Sequence, residues 1–230
     1  MKKELLNKRL SQAKIIGRTI ARLPFVRCVI LNGSLAQGKS KKSSDIDILI
    51  IAKDGRIFTA RFFINIFALL FGIKRSKDES KGHAGKFCFN YFLTESYLKI
   101  PTGRGEKIDK YCAENYSASK FIAGDGGLFE EFLRANEELF EKYNCKQKLS
   151  SRHFASPPAR WVKQSERSYR KQNRRFLTLF EMTSIISNRL EKLLKSYQIK
   201  KIESDPRTKK YPDLIVYNDR ELRFHPPKSS

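Results

Sequence analysis

The sequence predicts an α+β chain, and three features predict it. Two apolar runs of strand length, residues 25–31 and 45–52, stand between helical stretches near the N-terminus, and a third run, 86–93, follows. Beyond Thr94 the apolar spacing becomes helical. At 230 residues the chain is long enough for one large or two small domains with an adequate core.

Each element has its own signal. The opening MKKELLNKRLSQAKIIGRTIARL carries an amphipathic pattern with no uninterrupted apolar core or cleavage site, so it predicts a helix over about 3–23 and no signal peptide. Residues 25–31 form the first strand, and Gly33-Ser34 turns the chain. The second strand runs over 45–52, and Asp54-Gly55 leads into an apolar helix of about 56–73. Within it, 57–73 approaches the length of a membrane span, but Arg61 and Asn65 interrupt it one helical turn apart, and the expectation is a core helix with no membrane contact. A polar loop over 74–85 precedes the third strand. Helical spacing returns over 106–122 and 127–143, separated by the Gly124-Asp-Gly-Gly127 break, and again over 176–197; a short strand-like segment occupies 214–217.

The chemistry concentrates in Gly33-Ser34-Leu-Ala-Gln-Gly-Lys-Ser-Lys-Lys-Ser-Ser-Asp45-Ile-Asp47. Side chains alternate along a strand, so Asp45 and Asp47 point to one face. Two carboxylates held side by side repel unless a cation lies between them, and carboxylates with phosphate oxygens are the usual ligands of Mg²⁺. The Gly-Ser turn supplies backbone N–H groups and a hydroxyl for phosphate.

This pattern, Gly-Ser followed after ten residues by Asp-x-Asp on a strand, resembles the nucleotidyltransferase domain of the DNA polymerase β superfamily, in particular its minimal members. The resemblance covers about residues 25–93 and rests on Gly33, Ser34, Asp45 and Asp47. It implies a nucleotidyltransferase-type mixed β-sheet flanked by helices, here followed by a mainly helical C-terminal region. It also implies Mg²⁺- or Mn²⁺-dependent transfer of a nucleoside monophosphate from an NTP to a hydroxyl acceptor, with release of pyrophosphate. Asp45 and Asp47 would hold the metal, while Gly33 and Ser34, with Lys39, Lys41 or Lys42, would hold the terminal phosphates. Superfamily members carry a third carboxylate on a following strand, and the matching position here is Asn90, which can ligate through its amide oxygen but cannot act as a base. A second reading is therefore a degenerate domain that binds nucleotide or nucleic acid without turnover, as one member of a toxin and antitoxin-like pair. The expected divisions are a nucleotidyltransferase-like domain over 1–100, a helical region over 101–200 and a basic tail over 201–230.

A net charge of +23 points to an anionic partner, nucleic acid before a membrane surface. The excess is dense over 146–175, where ten Lys or Arg face the single acid Glu166, with His153, Phe154, Trp161 and Tyr169 interleaved. Cations neutralise phosphates and aromatic faces stack bases, so Arg160, Trp161, Lys163, Arg167, Arg170, Lys171 and Arg174 are the expected contacts to single-stranded RNA. The bland alternative is a solvated linker, favoured by Ser156-Pro157-Pro158. Cys28, Cys88, Cys112 and Cys145 lack Cys-x-x-Cys spacing and read as reduced thiols of a cytoplasmic protein, without a zinc site or disulfide framework. His225 has no partner motif and reads as structural.

Overall fold

The computed structural model describes residues 2–74, 84–145, 184–212 and 214–224. Its centre is a mixed six-stranded sheet. The first strand, β1 (Val26–Asn32), follows helix α1 (Lys2–Ile20) and leads through the short helix α2 (Gly33–Ala36) into β2 (Ile46–Ala52). Helix α3 (Ile57–Leu70) crosses over to β3 (Phe87–Thr94), and this crossover makes β2 and β3 parallel. After α4 (Glu106–Tyr116) comes β4 (Lys120–Gly124), followed by α5 (Gly126–Ala135) and α6 (Glu137–Lys142). The last described elements are α7 (Ser184–Glu203), α8 (Pro206–Lys210) and the hairpin β5 (Val216–Tyr217) and β6 (Glu221–Arg223). The strand order is β4-β1-β2-β3-β6-β5, with every pair except β2/β3 antiparallel.

Both faces of the sheet are covered, which is why β1 and β2 read as continuous apolar runs. One face, with Val29, Leu31, Ile48, Ile50 and Phe92, packs under α1, α3 and α7; the other, with Ile30, Leu49, Ile51, Tyr91 and Leu93, packs under α4, α5 and α6. The polar breaks in α3 are satisfied. Arg61 donates to Gln198 on α7 at 2.5 Å and lies over the Phe224 ring, while Asn65 donates to the Arg61 carbonyl at 2.8 Å. Glu191 of α7 closes the N-terminus of α3, accepting from the Phe58 and Thr59 amides at 3.0 and 2.9 Å. Among the described residues no helix is long and apolar enough to cross a membrane.

Three boundaries differ from the sequence expectation. The helix expected over 106–122 stops at Tyr116, and 120–124 instead forms β4 against β1, because a sheet edge offers its backbone groups partners that outweigh local helical spacing. Gly124 permits this pairing: its φ is +101°, and a Cβ there would lie 2.9 Å from Cys28 Cα. The helix expected over 127–143 divides at Asn136, whose buried side chain donates to the carbonyls of Leu98 and Phe132 and accepts from the Ile100 amide. The segment 201–230, read as a tail, supplies β6, which pairs with β3 and buries Leu222. Of the helix expected over 176–197, residues 184–197 lie in α7 and 176–183 lie outside the described residues.

Candidate active site

The candidate site forms where β1 ends, β2 begins and β3 runs alongside. Asn32, the last residue of β1, stands opposite Asp47 in the β1/β2 register. The chain then turns at Gly33, with φ +68°, into α2. A side chain is excluded at Gly33 for two separate reasons. The left-handed φ disfavours any Cβ, and an added Cβ would fall inside contact distance of the Asp47 carboxylate, 3.0 Å from its Cγ. The Gly-Ser turn and the second aspartate are therefore packed directly against each other.

Asp45 is 8 % exposed and sits just before β2, where Ile46 N–H donates to the Lys86 carbonyl at 2.9 Å and Gly85 N–H to the Ser44 carbonyl at 3.0 Å. These bonds tie the approach to β2 against the approach to β3. Directly across from Asp47 in the parallel register is Cys88. One ligand atom each from Asp45, Asp47 and Cys88 lies within 4.8 Å of the others.

The β2/β3 register then shifts, with Asp47 paired to Cys88 and Leu49 to Tyr91, so that two steps on β2 face three on β3. A bulge of this kind breaks alternation and re-aims side chains. Asn90 and Tyr91, adjacent in sequence, consequently line the same cleft together with Cys88. The Cys88 thiol donates to the Asn90 amide oxygen. Tyr111, Asn115 and Tyr116 of α4 form the facing wall of this cleft. Burial first, and then the nearby Asp47 carboxylate, push the Tyr111 hydroxyl well above its usual range, so it stays protonated.

A further buried polar group supports the cleft from behind. Glu221 and Arg223 of β6 pair at 3.5 Å, Arg104 approaches Glu221 at 3.9 Å, and the Arg223 guanidinium lies over the Tyr91 ring. Burial raises the Glu221 carboxyl to about 7 despite the opposing pull of Arg104 and Tyr91. On the other side of the Gly-Ser turn, Arg9 of α1 is 4 % exposed and donates to Ser40 Oγ at 2.7 Å, to the Lys42 carbonyl at 2.5 Å and to the Lys41 carbonyl. It anchors the exposed loop carrying Lys39, Lys41 and Lys42.

The structure thus brings Gly33, Asp45, Asp47 and Asn90 together at one end of the central strands, with Ser34 in the turn and the lysines on the adjoining loop. Arg160, Trp161, Lys163, Arg167, Arg170, Lys171, Arg174 and His225 lie outside the described residues. Sequence reading missed Asn32, Cys88, Tyr111 and Arg9. Cys88 carried one available signal, since it shares strand parity with Asn90; the other three are recruited through register and helix packing, which leave no local trace.

The donor set fits a divalent cation. Two carboxylates and a sulfur lie close together, and the Asn32 amide oxygen beside them is buried with no hydrogen-bond partner among the described residues.

No curated protein matches this chain. A solved structure described as the toxin-antitoxin with AMP-PNP aligns over 59 % of this chain and 90 % of its own at 17 % identity, with a TM-score of 0.33, too low to carry an argument. The profile of the family described as "Nucleotidyltransferase domain" matches residues 13–180, well over half of the chain and the whole of the turn, acid pair and third strand. The chain belongs to the nucleotidyltransferase domain family.

Proposed function

We propose that the protein transfers a nucleoside monophosphate from an NTP to a hydroxyl of RNA, using Mg²⁺ or Mn²⁺ held by Asp45 and Asp47. The observation that carries this reading is the direct packing of Gly33 against the Asp47 carboxylate, which joins a phosphate turn and a pair of acids in one cleft. The bound cation would offset the charge of the triphosphate oxygens. Gly33 N–H and Ser34 hydroxyl hold the terminal phosphates, and Lys39 and Lys42 add positive charge from the loop that Arg9 anchors. The Tyr111 hydroxyl donates into the cleft from α4. In the reaction the acceptor oxygen bonds to the α-phosphorus, the bond to the bridging oxygen breaks and pyrophosphate leaves. The hydroxyl proton passes to water, because Asn90 offers no base. Phosphoryl transfer depends mainly on positioning and electrostatics, so the missing base slows the chemistry without forbidding it.

In this reading residues 1–100 carry the chemistry, 101–200 form the helical wall and the RNA-binding segment 146–175, and 201–230 form a basic C-terminal portion. The setting is the cytoplasm. Asn90 in place of a carboxylate favours the second reading, a domain that binds nucleotide without turnover. Incubation with each α-phosphate-labelled NTP, Mg²⁺ or Mn²⁺ and total RNA separates the two. Label transferred to RNA by the parent protein and not by Asp47→Asn supports the enzyme; nucleotide binding with no transfer to RNA, protein or small acceptors supports the degenerate domain.

A further inference from the structure

We propose that Cys88 is the third ligand of the metal site, so that this site takes a softer divalent cation, Mn²⁺, Co²⁺ or Zn²⁺, in preference to Mg²⁺. The inference rests on the reading of Asp45 and Asp47 as metal ligands and concerns what completes them.

Register carries the argument. Cys88 is the residue paired across the parallel ladder from Asp47, whereas Asn90 lies within the bulge between the Asp47/Cys88 and Leu49/Tyr91 pairs. Donor atoms of Asp45, Asp47 and Cys88 lie within 4.8 Å of one another, and two donors on one ion are separated by at most about twice a metal–ligand bond of ~2.0–2.3 Å. Small side-chain rotations therefore suffice to bring all three onto one ion, and neither strand has to move. An independent sign of a missing ligand is Asn32. This residue is 6 % exposed, lines the same cleft, stands opposite Asp47 on the other side, and has a buried amide oxygen without a hydrogen-bond partner among the described residues. An acceptor buried in this way costs folding free energy unless something at the site engages it.

The surroundings suit a sulfur ligand. Asn90 already contacts the Cys88 sulfur, accepting from the thiol. When the thiol gives up its proton to solvent and its sulfur bonds a cation, the same amide turned about offers N–H to the thiolate, an outer-shell contact that orients the ligand. Asn90 then serves as a positioning residue, and the carboxylate that other family members place on this strand is replaced by a sulfur two residues earlier. Sulfur ligation selects against Mg²⁺, which demands oxygen donors and near-ideal octahedral geometry.

The test uses the full chain, reduced and metal-stripped, titrated with Co²⁺ in the absence of nucleotide. The expected result is a sulfur-to-cobalt charge-transfer band in the near ultraviolet that saturates with one equivalent of metal. It should be absent from Cys88→Ser and from Asp45→Asn/Asp47→Asn. Cys88→Ser should also lose Co²⁺ and Mn²⁺ affinity by at least about tenfold, the smallest loss that even an outer-shell partner causes. Cys88→Asp, a hard replacement of similar size, should move the preference back toward Mg²⁺. Co²⁺ binding without the band, or a band that persists in Cys88→Ser, overturns the proposal. The first of these results leaves the nucleotidyl-transfer reading intact. Conversely, a Cys88-dependent band in a protein that binds no NTP and transfers no label sustains the ligand assignment and rejects the functional reading.

Discussion

In the proposed reaction Gly33 and Asn90 each carry a role that a single substitution can test. At Gly33 a methyl group would meet both an unfavourable φ of +68° and the Asp47 carboxylate. Gly33→Ala is expected to cost roughly 1–3 kcal/mol of stability from backbone strain alone and to displace Asp47. Thermal unfolding measures the first effect and NTP binding the second; a variant with unchanged nucleotide affinity would detach the turn from the site. Asn90 acts on the opposite wall. Because it lines the cleft with Asp47 and Cys88, Asn90→Asp adds a carboxylate and a base to a strand that has neither. Its expected outcome is higher divalent-metal affinity together with faster label transfer, measured by metal titration and single-turnover kinetics. No change in either would show that the bulged position does not reach the reacting groups.

At the scale of elements, the C-terminal hairpin is the part whose role is least visible locally. Strand β6 carries Glu221 into a buried pocket behind Tyr91, with Arg104 from the loop before α4, Arg223 from its own strand and Cys112 from α4 facing it. Burial raises the Glu221 carboxyl from 4.5 to about 7, so the folded state binds its proton more tightly than the unfolded chain does. This contribution to stability is present in full at low pH and declines as pH rises from about 4.5 to about 7. Glu221→Gln is neutral at every pH and should lack this decline. The difference in unfolding free energy between parent and variant should therefore change across that window, to the parent's disadvantage as pH rises, and flatten above it. A pH-independent difference would show that the Arg104 and Arg223 charges hold the carboxylate ionised throughout.

The whole molecule carries an excess of 23 positive charges, far more than the cleft can use. If the 146–175 segment delivers RNA to the cleft, charge reversal at Arg167, Arg170, Lys171 and Arg174 should weaken RNA binding and flatten its salt dependence. The log–log slope should fall by about 0.7 for each phosphate of the single strand that the variant no longer neutralises. Nucleotide binding should be untouched, since Gly33, Asp45 and Asp47 belong to the ends of the central strands β1 and β2. RNA binding as tight as the parent's at physiological salt would mark the segment as a solvated linker and direct the search for an acceptor to proteins and small molecules.

The sequence by itself determined the α+β class, the first three strands, the helix between β2 and β3, whose first half is buried while Leu69, Leu70 and Phe71 at its end are exposed, and the nearness of the Gly-Ser turn to Asp47. These are local patterns: two-residue alternation, apolar runs of strand length and a turn signal within fifteen residues of the acids. It did not reveal the strand at 120–124, the break at Asn136 or the entry of 221–223 into the sheet, because each depends on hydrogen bonds to residues far away in the chain. The same distinction divides the site. Asp45 and Asp47 were legible because their spacing matches the strand period. Cys88, Asn32 and Tyr111 came to lie beside the acids only through register, a β-bulge and helix packing, and Arg9 reached the lysine loop only through the packing of α1, since a side chain's neighbours across a sheet are chosen by pairing and not by position along the chain.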